Sequence, residues 1–216
     1  LGWVNSFYYL DGIIRDVKIY EGIKIPPTLH TLTPEGGDTD VGIYGHSISN
    51  VGASAANDGA YDFDGSDYID CGEAGQIISS ISVGAWVKPD ENADYATILT
   101  KGNVNGDSIT TQYNLQIQPD NYVRFQLSDG TTTHTVVSDE PVIDGNWTHI
   151  AGTFDSTTGL VNIYLNGVIQ DTDSQNILSS LGATDIGLYI GKDHYSNRYW
   201  FDGSIKDTDE DDQKKI

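Results

Sequence analysis

Oxygen-bearing side chains recur at every second position of residues 103–107. Asn103, Asn105 and Asp107 alternate with Val104 and Gly106. This spacing lets several side chains point at one hard cation such as calcium, and the glycine permits a sharp bend. The same residues also suit an Asn-Gly turn whose side chains face water. The loop is therefore a candidate calcium site, with simple turn formation as the alternative.

Aromatic residues crowd a second region of the chain. His194, Tyr195, Tyr199 and Trp200 lie in one loop and the strand expected after it, and Tyr95 lies in another loop. A pyranose ring presents an apolar face that stacks on aromatic rings, so these residues suit a sugar platform. We expect Tyr195 and Trp200 to make the main contacts and Tyr95 a further one. Burial in the core is the alternative for Trp200.

The carboxylates form no catalytic pattern in the sequence. Glycoside hydrolysis needs two carboxyl groups that flank the scissile bond. The sequence also lacks a nucleophile elbow, a phosphate-binding loop and a His-Glu-x-x-His zinc motif. We therefore expect a protein that is not an enzyme. Its glutamates fall in expected turns or linkers, at Glu21, Glu35, Glu73, Glu91, Glu140 and Glu210.

The overall charge is strongly negative. The 216 residues include 32 acidic and 11 basic ones, which gives a net charge of -21. Such a chain repels nucleic acid and anionic membranes, and no apolar stretch approaches the roughly 20 residues of a membrane helix. We expect neither a nucleic-acid partner nor membrane insertion. Since the chain starts at Leu1 without a signal peptide, we interpret it as a piece of a longer protein.

Short apolar runs alternate with turn signals from residue 59 onward. Residues 113–128 and residues 147–166 each read as a hairpin, and Gly159 stands where the second hairpin needs a left-handed residue. No segment of useful length has helical periodicity. The pattern predicts an all-β fold, a two-sheet antiparallel β-sandwich of the jelly-roll type. We expect Trp86 and Trp147 in its core.

A short motif occurs twice, in residues 8–16 and residues 199–207. Tyrosine, Asp-Gly, isoleucine, a basic residue and aspartate follow in the same order in both copies. The first copy continues as an alternating strand to Tyr20, whereas the second runs into clustered acids, which repel one another in a sheet. Residues 1–25 could close a preceding repeat, close this domain, or complete a neighbouring molecule. We expect the first copy, rather than the second, to form the closing strand at the edge of the sandwich.

An ordered series of motifs then resembles a known family. It runs from Phe63-Asp64-Gly65 through Trp86-Val87 and residues 147–155 to Ile190-Gly191. The series is similar to the laminin-G-like, or concanavalin A-like, jelly-roll domains of extracellular and surface proteins. The resemblance covers residues 59–207. Residues 26–58 then read as a linker and a poorly defined domain start, and residues 208–216 as an acidic tail.

The resemblance also implies calcium sites. Pentraxins share this fold, and their calcium loops correspond to positions here that make Asn105, Asp107 and Asp193 a rim site. Related glucanases and binding modules hold calcium on the aspartate of a terminal strand, which implicates Asp16. Glycosidases of this fold carry Glu-x-Asp-x-x-Glu along one strand, and no such triplet occurs in this chain.

Together these features favour a non-catalytic binding or adhesion module. We expect it to be extracellular, or on a cell or virion surface, as one repeat of a larger protein. Its expected partner is a glycan or cell-surface polymer, with calcium as cofactor. The alternative is a structural subunit that joins copies of itself by donating its N-terminal strand.

Overall fold

The structure is a computed structural model in which all regular elements of the described residues are β-strands. It describes residues 18–21, 32–33, 39–40, 48–56, 60–73, 79–90, 94–105, 108–109, 112–143, 145–174, 178–194 and 199–206. The strands are β1 Lys18–Glu21, β2 Leu32–Thr33, β3 Thr39–Asp40, β4 Ser49–Val51, β5 Ser54–Ala55, β6 Tyr61–Asp64, β7 Tyr68–Asp70, β8 Ile81–Pro89, β9 Ala96–Lys101, β10 Val104–Asn105, β11 Ser108–Ile109, β12 Gln112–Ile117, β13 Tyr122–Ser128, β14 Thr133–Pro141, β15 Thr148–Asp155, β16 Leu160–Leu165, β17 Val168–Asp173, β18 Leu188–Ile190 and β19 Asp202–Lys206.

Two antiparallel sheets form a sandwich, as the sequence predicts. The first sheet has the order β17-β16-β15-β8-β19-β6-β5, with β1 as an eighth strand on β8. The second sheet has the order β14-β13-β12-β9-β18-β7-β4. Both predicted hairpins are confirmed, since β12 pairs with β13 and β15 pairs with β16. Gly159, between β15 and β16, has a φ of 73° and so adopts the expected left-handed conformation.

The core lies between the sheets and follows the two-residue period of the strands. In β16, Val161, Ile163 and Leu165 are buried, whereas Asn162 and Tyr164 between them are half-buried. One continuous apolar cluster results, to which strands of both sheets contribute. Polar and aromatic side chains occupy many of the outward-facing positions of the strands.

One contact sets how closely the sheets approach. Gly152 of β15 faces the ring of Phe125 of β13, and a Cβ atom at Gly152 would lie 2.4 Å from Phe125 Cγ. Phe125 is fully buried. Any side chain at this position would therefore push the two sheets apart or force Phe125 out of its rotamer.

The two tryptophans expected in the core lie on the outward face instead, so that expectation is wrong. Trp86 is half-buried because its neighbours Ala85 and Val87 take the core-facing positions of β8. Its ring packs against His149, with 5.4 Å between ring centroids. Trp147 is also half-buried and has Lys88 Nζ 5.4 Å from its ring centroid.

The sandwich begins before residue 59, and strands from both ends of the chain pair with β8. β4 and β5 lie before residue 59, and they pair with β7 and β6 at the ends of the two sheets. β19 and β1 pair along the same side of β8, β19 with residues 86–89 and β1 with residues 81–84. β19 also pairs with β6, so it is an interior strand and not an edge strand. The expectation that the first motif copy alone takes the closing position is therefore wrong, because both terminal strands pair with β8. Residues 8–17 of the first motif copy lie outside the described residues.

We predict that Gly152→Ala destabilises the fold, because the added methyl group has no space beside Phe125. Overpacking of this kind costs roughly 1 to 3 kcal/mol of unfolding free energy. Urea unfolding monitored by circular dichroism measures the loss.

The double variant Gly152→Ala/Phe125→Leu is the matched control. A smaller side chain at position 125 makes room for the methyl group, so the two changes together should cost less than the sum of the single changes. Strict additivity would show that the Gly152–Phe125 contact does not set the spacing of the sheets.

We also predict an acid-sensitive contribution from His149. Burial lowers its pKa from 6.5 to about 4, and its Nε2 atom is buried with no hydrogen-bond partner among the described residues. The unfolded chain takes up a proton near pH 6.5 but the folded chain does not, so stability falls as pH drops from about 6.5 to 4, by roughly 3 kcal/mol. His149→Gln should remove this part of the pH dependence in urea titrations at pH 7 and pH 4. An identical pH dependence in the variant would contradict the assignment.

Candidate functional site

Aromatic side chains gather on the outward face of the second sheet, near one end of the strand order. Ile69 of β7 and Leu188 and Ile190 of β18 face the core, so the pleat turns Tyr68 and Tyr189 outward. The neighbouring pair Tyr189 and Asp70 is in register across the two strands. Two adjacent strands therefore place two tyrosines side by side on the same surface.

A third ring and two basic side chains complete this group, which we call the aromatic cluster. Its members are Tyr68, Tyr189, Lys192, His194 and Trp200. Ring centroids are 6.3 Å apart for Tyr68–Tyr189, 5.7 Å for Tyr68–Trp200 and 5.4 Å for Tyr189–His194. Lys192 Nζ lies 3.9, 5.0 and 5.4 Å from the centroids of Tyr68, Tyr189 and Trp200. His194 is exposed and the other four are half-buried, so the cluster is accessible.

The segments that carry these residues are anchored by the backbone. Gly191 has a φ of 84°, and a Cβ atom there would lie 2.6 Å from the ring of Phe63. Only glycine fits this turn, which leads directly to Lys192. Gly191 N donates to Ile98 O over 3.1 Å, and Phe201 N donates to Gly191 O over 2.9 Å. Phe201, which follows Trp200, and Gly191, which precedes Lys192, are therefore tied to the same point of the sheet.

A second group of residues adjoins the cluster through Tyr199. This residue has a φ of 60°, an uncommon conformation for a bulky side chain and one that recurs at functional sites. Its ring meets Tyr95 edge-on, with 5.3 Å between centroids. Arg124 Cζ lies 4.4 Å from the Tyr95 centroid, and Arg124 donates from Nε and Nη2 to Gln116 Oε1 over 3.0 and 2.8 Å. Gln116 Nε2 in turn donates to Thr97 Oγ1 over 3.0 Å.

A row of mostly buried polar residues continues from Tyr189 across the sheet. One lateral row runs from Tyr189 through Thr100, Asn114 and Gln126 to Thr135, on the face opposite the core. Thr100 and Asn114 are fully buried, yet Thr100 Oγ1 and Asn114 Oδ1 have no hydrogen-bond partner among the described residues. Buried polar atoms left unpaired are rare in proteins. Because both residues are fully buried, a buried water is the kind of partner that such atoms usually have.

The surroundings of Tyr189 favour a neutral phenol that can donate a hydrogen bond. Burial raises the pKa of Tyr189, and Asp70 and Tyr68 raise it further. The phenol therefore keeps its proton well above physiological pH and can donate a hydrogen bond. Lys192 supplies a positive charge in a chain whose net charge is -21.

The structure brings together only some of the residues expected from the sequence. Trp200 belongs to the aromatic cluster, whereas Tyr95 contacts Tyr199 and Arg124 beside it. Tyr195 lies outside the described residues. The expected roles of Tyr195, Trp200 and Tyr95 stay predictions.

The expected calcium ligands also stay predictions. Asp193 is fully buried in the loop that carries Lys192. Asn105 lies in β10 opposite Ser108 of β11, but only its backbone is described. Asp16 and Asp107 lie outside the described residues. Among the residues that the structure describes, no group of three or more His, Cys, Asp or Glu residues could hold a metal ion. The same part of the chain contains no helix that could cross a membrane.

Sequence reasoning missed several members of this surface. Tyr68 and Tyr189 each alternate with buried aliphatic residues, and this alternation is the signal that places them on the outward face. Lys192, Gln116 and Arg124 give no such local signal. They could be recognised only once the strand order was known.

This architecture, two antiparallel sheets with an aromatic and polar surface on one of them, defines a concanavalin A-like β-sandwich. The profile described as the concanavalin A-like lectin/glucanases superfamily matches residues 63–209. The chain belongs to this superfamily. A comparison with curated protein sequences finds no relative.

Solved structures share the fold at low sequence identity. A proposed carbohydrate-binding protein from Bacteroides ovatus has a TM-score of 0.53 and 24% identity, over 68% of this chain and 41% of that one. The ligand-binding domain of botulinum neurotoxin serotype D, solved with N-acetylneuraminic acid, has a TM-score of 0.59 and 14% identity, over 90% and 48%. The binding domain of serotype G has a TM-score of 0.60 and 17% identity, over 84% and 46%. The chain thus spans less than half of each of these structures.

Proposed function

We propose that this chain is a non-catalytic glycan-binding module. The observation that carries the proposal is the aromatic cluster, in which Tyr68, Tyr189 and Trp200 surround Lys192 on an accessible sheet face. Aromatic faces stack on the apolar side of a sugar ring, and the lysine and phenol groups can bind its hydroxyl or carboxylate oxygens.

Similar structures support a glycan as the partner. The proposed carbohydrate-binding protein and the domain solved with N-acetylneuraminic acid both contain this fold. They share under a quarter of their residues with this chain, so they bear on the class of ligand and not on the particular sugar. The lectins of the superfamily are therefore a better guide to the function of this protein than its glucanases.

The chemistry of the site also favours binding without catalysis. The aromatic cluster contains no carboxylate, and Asp70 is the acid that pairs in register with its Tyr189 among the residues that the structure describes. Hydrolysis requires two carboxyl groups on opposite sides of the scissile bond. The proposed site can therefore hold a sugar but has no acid and nucleophile pair among its own members.

We further propose an extracellular or cell- or virion-surface setting and a stabilising calcium ion. Both proposals come from the sequence resemblance, with Asn105, Asp107, Asp193 and Asp16 as the calcium candidates. The buried Asp193 follows Lys192 directly, so an ion bound there would fix the loop that positions the lysine. Loss of the ion should therefore weaken glycan binding as well as stability.

We predict that an array of immobilised neutral and acidic glycans yields saturable binding that depends on the cluster. Tyr68→Leu removes an aromatic face, and Lys192→Met removes the charge while keeping the length of the side chain. Each change should weaken binding about tenfold, which corresponds to about 1.4 kcal/mol. Titration calorimetry with the best-bound glycan measures the effect.

Lys88→Met is the matched control, because Lys88 lies over Trp147 in the same kind of contact on the other sheet. It should leave glycan affinity unchanged. Equal losses of glycan affinity in the Lys88 and Lys192 variants would contradict the proposed site. So would an affinity that neither Tyr68→Leu nor Lys192→Met lowers. Absence of binding to every neutral and acidic glycan would contradict the proposed function.

The calcium proposal is tested by repeating this titration after removal of divalent ions with EDTA. We expect weaker glycan binding and a lower melting temperature, both restored by calcium but not by magnesium, which prefers a more rigid octahedral site. Unchanged affinity and melting temperature would exclude a calcium ion that matters for this site.

A further inference from the structure

Two strands that are far apart in sequence share one side of β8. β19 pairs Gly203 with Pro89, Ser204 with Lys88, Ile205 with Val87 and Lys206 with Trp86. β1 pairs Lys18 with Gly84, Ile19 with Val83, Tyr20 with Ser82 and Glu21 with Ile81. Only Ala85 separates the two paired segments. The side of β8 is therefore filled end to end by the two copies of the repeated motif or their direct continuations.

The part of β8 that β1 occupies needs a partner strand. Ile81 and Val83 are fully buried, and β15 already covers the opposite side of the same residues. Without a strand on the β1 side, backbone N–H and C=O groups of residues 81–84 would lose their cross-strand hydrogen bonds, which contribute roughly 0.5 to 1.5 kcal/mol each. Residues 81–84 thus form an acceptor slot.

The chain's own C-terminal continuation is poorly suited to this slot. The sequence after β19 reads Asp207-Thr208-Asp209-Glu210-Asp211, in which four of five residues are acidic. Adjacent like charges weaken a strand in a sheet. β1 reads Lys-Ile-Tyr-Glu, in which the two central residues favour strands and the two charges are of opposite sign.

The glycine of the second motif copy explains how β19 approaches β8 so closely. A Cβ atom at Gly203 would lie 2.3 Å from Lys88 O, and Gly203 has a φ of 129°. Only glycine permits this approach. The first motif copy carries Asp11-Gly12 at the matching place, ahead of β1. Because β19 already occupies residues 86–89 of β8, this close approach belongs to the second copy, and β1 pairs only with residues 81–84.

The family domain contains the slot but not the strand that fills it. The superfamily profile matches residues 63–209, which include β8 and β19, whereas β1 lies before this region. Residues 22–48 connect β1 to β4, and the backbone pairing between β1 and β8 is the same whichever copy supplies β1. The advantage that a chain's own β1 has over a second copy's β1 is then only its effective concentration, which is on the order of millimolar for linked segments.

We infer that residues 81–84 of β8 are a strand-acceptor site that takes β1 from a second copy of this chain as well as from its own. Copies of the chain thereby exchange N-terminal strands, a route to dimers that requires no new contact. The partner is recognised by backbone pairing and by the alternating pattern of β1. This inference is independent of the proposed glycan binding.

Disulfide trapping tests the exchange with full-length chains. Tyr20 lies opposite Ser82, and opposed residues in antiparallel strands have Cβ atoms about 4.5 to 5.5 Å apart, near enough for a disulfide after a small adjustment. One copy carries Tyr20→Cys and the other Ser82→Cys, both with Cys71→Ala so that no native thiol remains. After mixing at about millimolar concentration, mild oxidation should give a covalent heterodimer.

Two controls make each outcome decisive. A copy with Tyr20→Cys mixed with one carrying Asn162→Cys, on β16 in the first sheet, should give much less heterodimer. Tyr20→Cys and Ser82→Cys in one chain should form an internal disulfide when that chain is dilute. An internal disulfide without any heterodimer would overturn the exchange, and failure of both would overturn the β1–β8 pairing from which it is inferred.

A peptide experiment gives a second readout. A fluorescent peptide of residues 8–25 should bind the variant Ile19→Pro/Tyr20→Pro at least tenfold more tightly than the wild-type chain. N–H groups alternate in direction along a strand, so two adjacent prolines must remove one that faces β8 and free the slot. A peptide of residues 199–216 is the matched control, because it shares the Asp-Gly motif but has the acidic continuation. Equal binding of the two peptides, or of the wild-type chain and the variant, would contradict the acceptor site.

Discussion

The contact between Phe125 and Gly152 is the constraint on which this structure depends. It allows the two sheets to pack at a spacing that leaves no room for a side chain at position 152. Once the sheets are closed in this way, the strands must place their apolar residues inward, and the period of two sends every alternate side chain outward. The proposed binding surface is a direct consequence, since Tyr68 and Tyr189 occupy those alternate positions.

The outward face of the second sheet combines a hydrophobic platform with polar groups held in place. The aromatic cluster lies beside Tyr199, whose contact with Tyr95 leads to Arg124 and Gln116. The outward face of the first sheet also has a lysine over a ring, at Lys88 and Trp147, but there a single aromatic ring contacts the cation. This difference between the faces is the reason for assigning glycan binding to the second sheet.

The sequence was sufficient for the fold class, for both hairpins and for the left-handed Gly159, because these depend on local alternation and turn chemistry. It also indicated Trp200, through the crowding of aromatic residues near it. It was insufficient for Trp86, since an aromatic residue in an apolar strand suggests burial, whereas the pleat between Ala85 and Val87 turns it outward. Lys192 and Arg124 required the strand order, because their contacts join segments that are distant in sequence.

The account's central claim is that glycan binds the outward face of the second sheet, and indole NMR tests it most directly. The chain has four tryptophans, of which Trp200 lies on the proposed face while Trp86 and Trp147 lie on the first sheet. Their indole N–H signals, assigned by single Trp→Phe changes, serve as reporters during titration with a bound glycan. The account predicts a saturable shift of the Trp200 signal with the Trp86 and Trp147 signals unchanged. Shifts of the Trp86 or Trp147 signals with an unmoved Trp200 signal would contradict it.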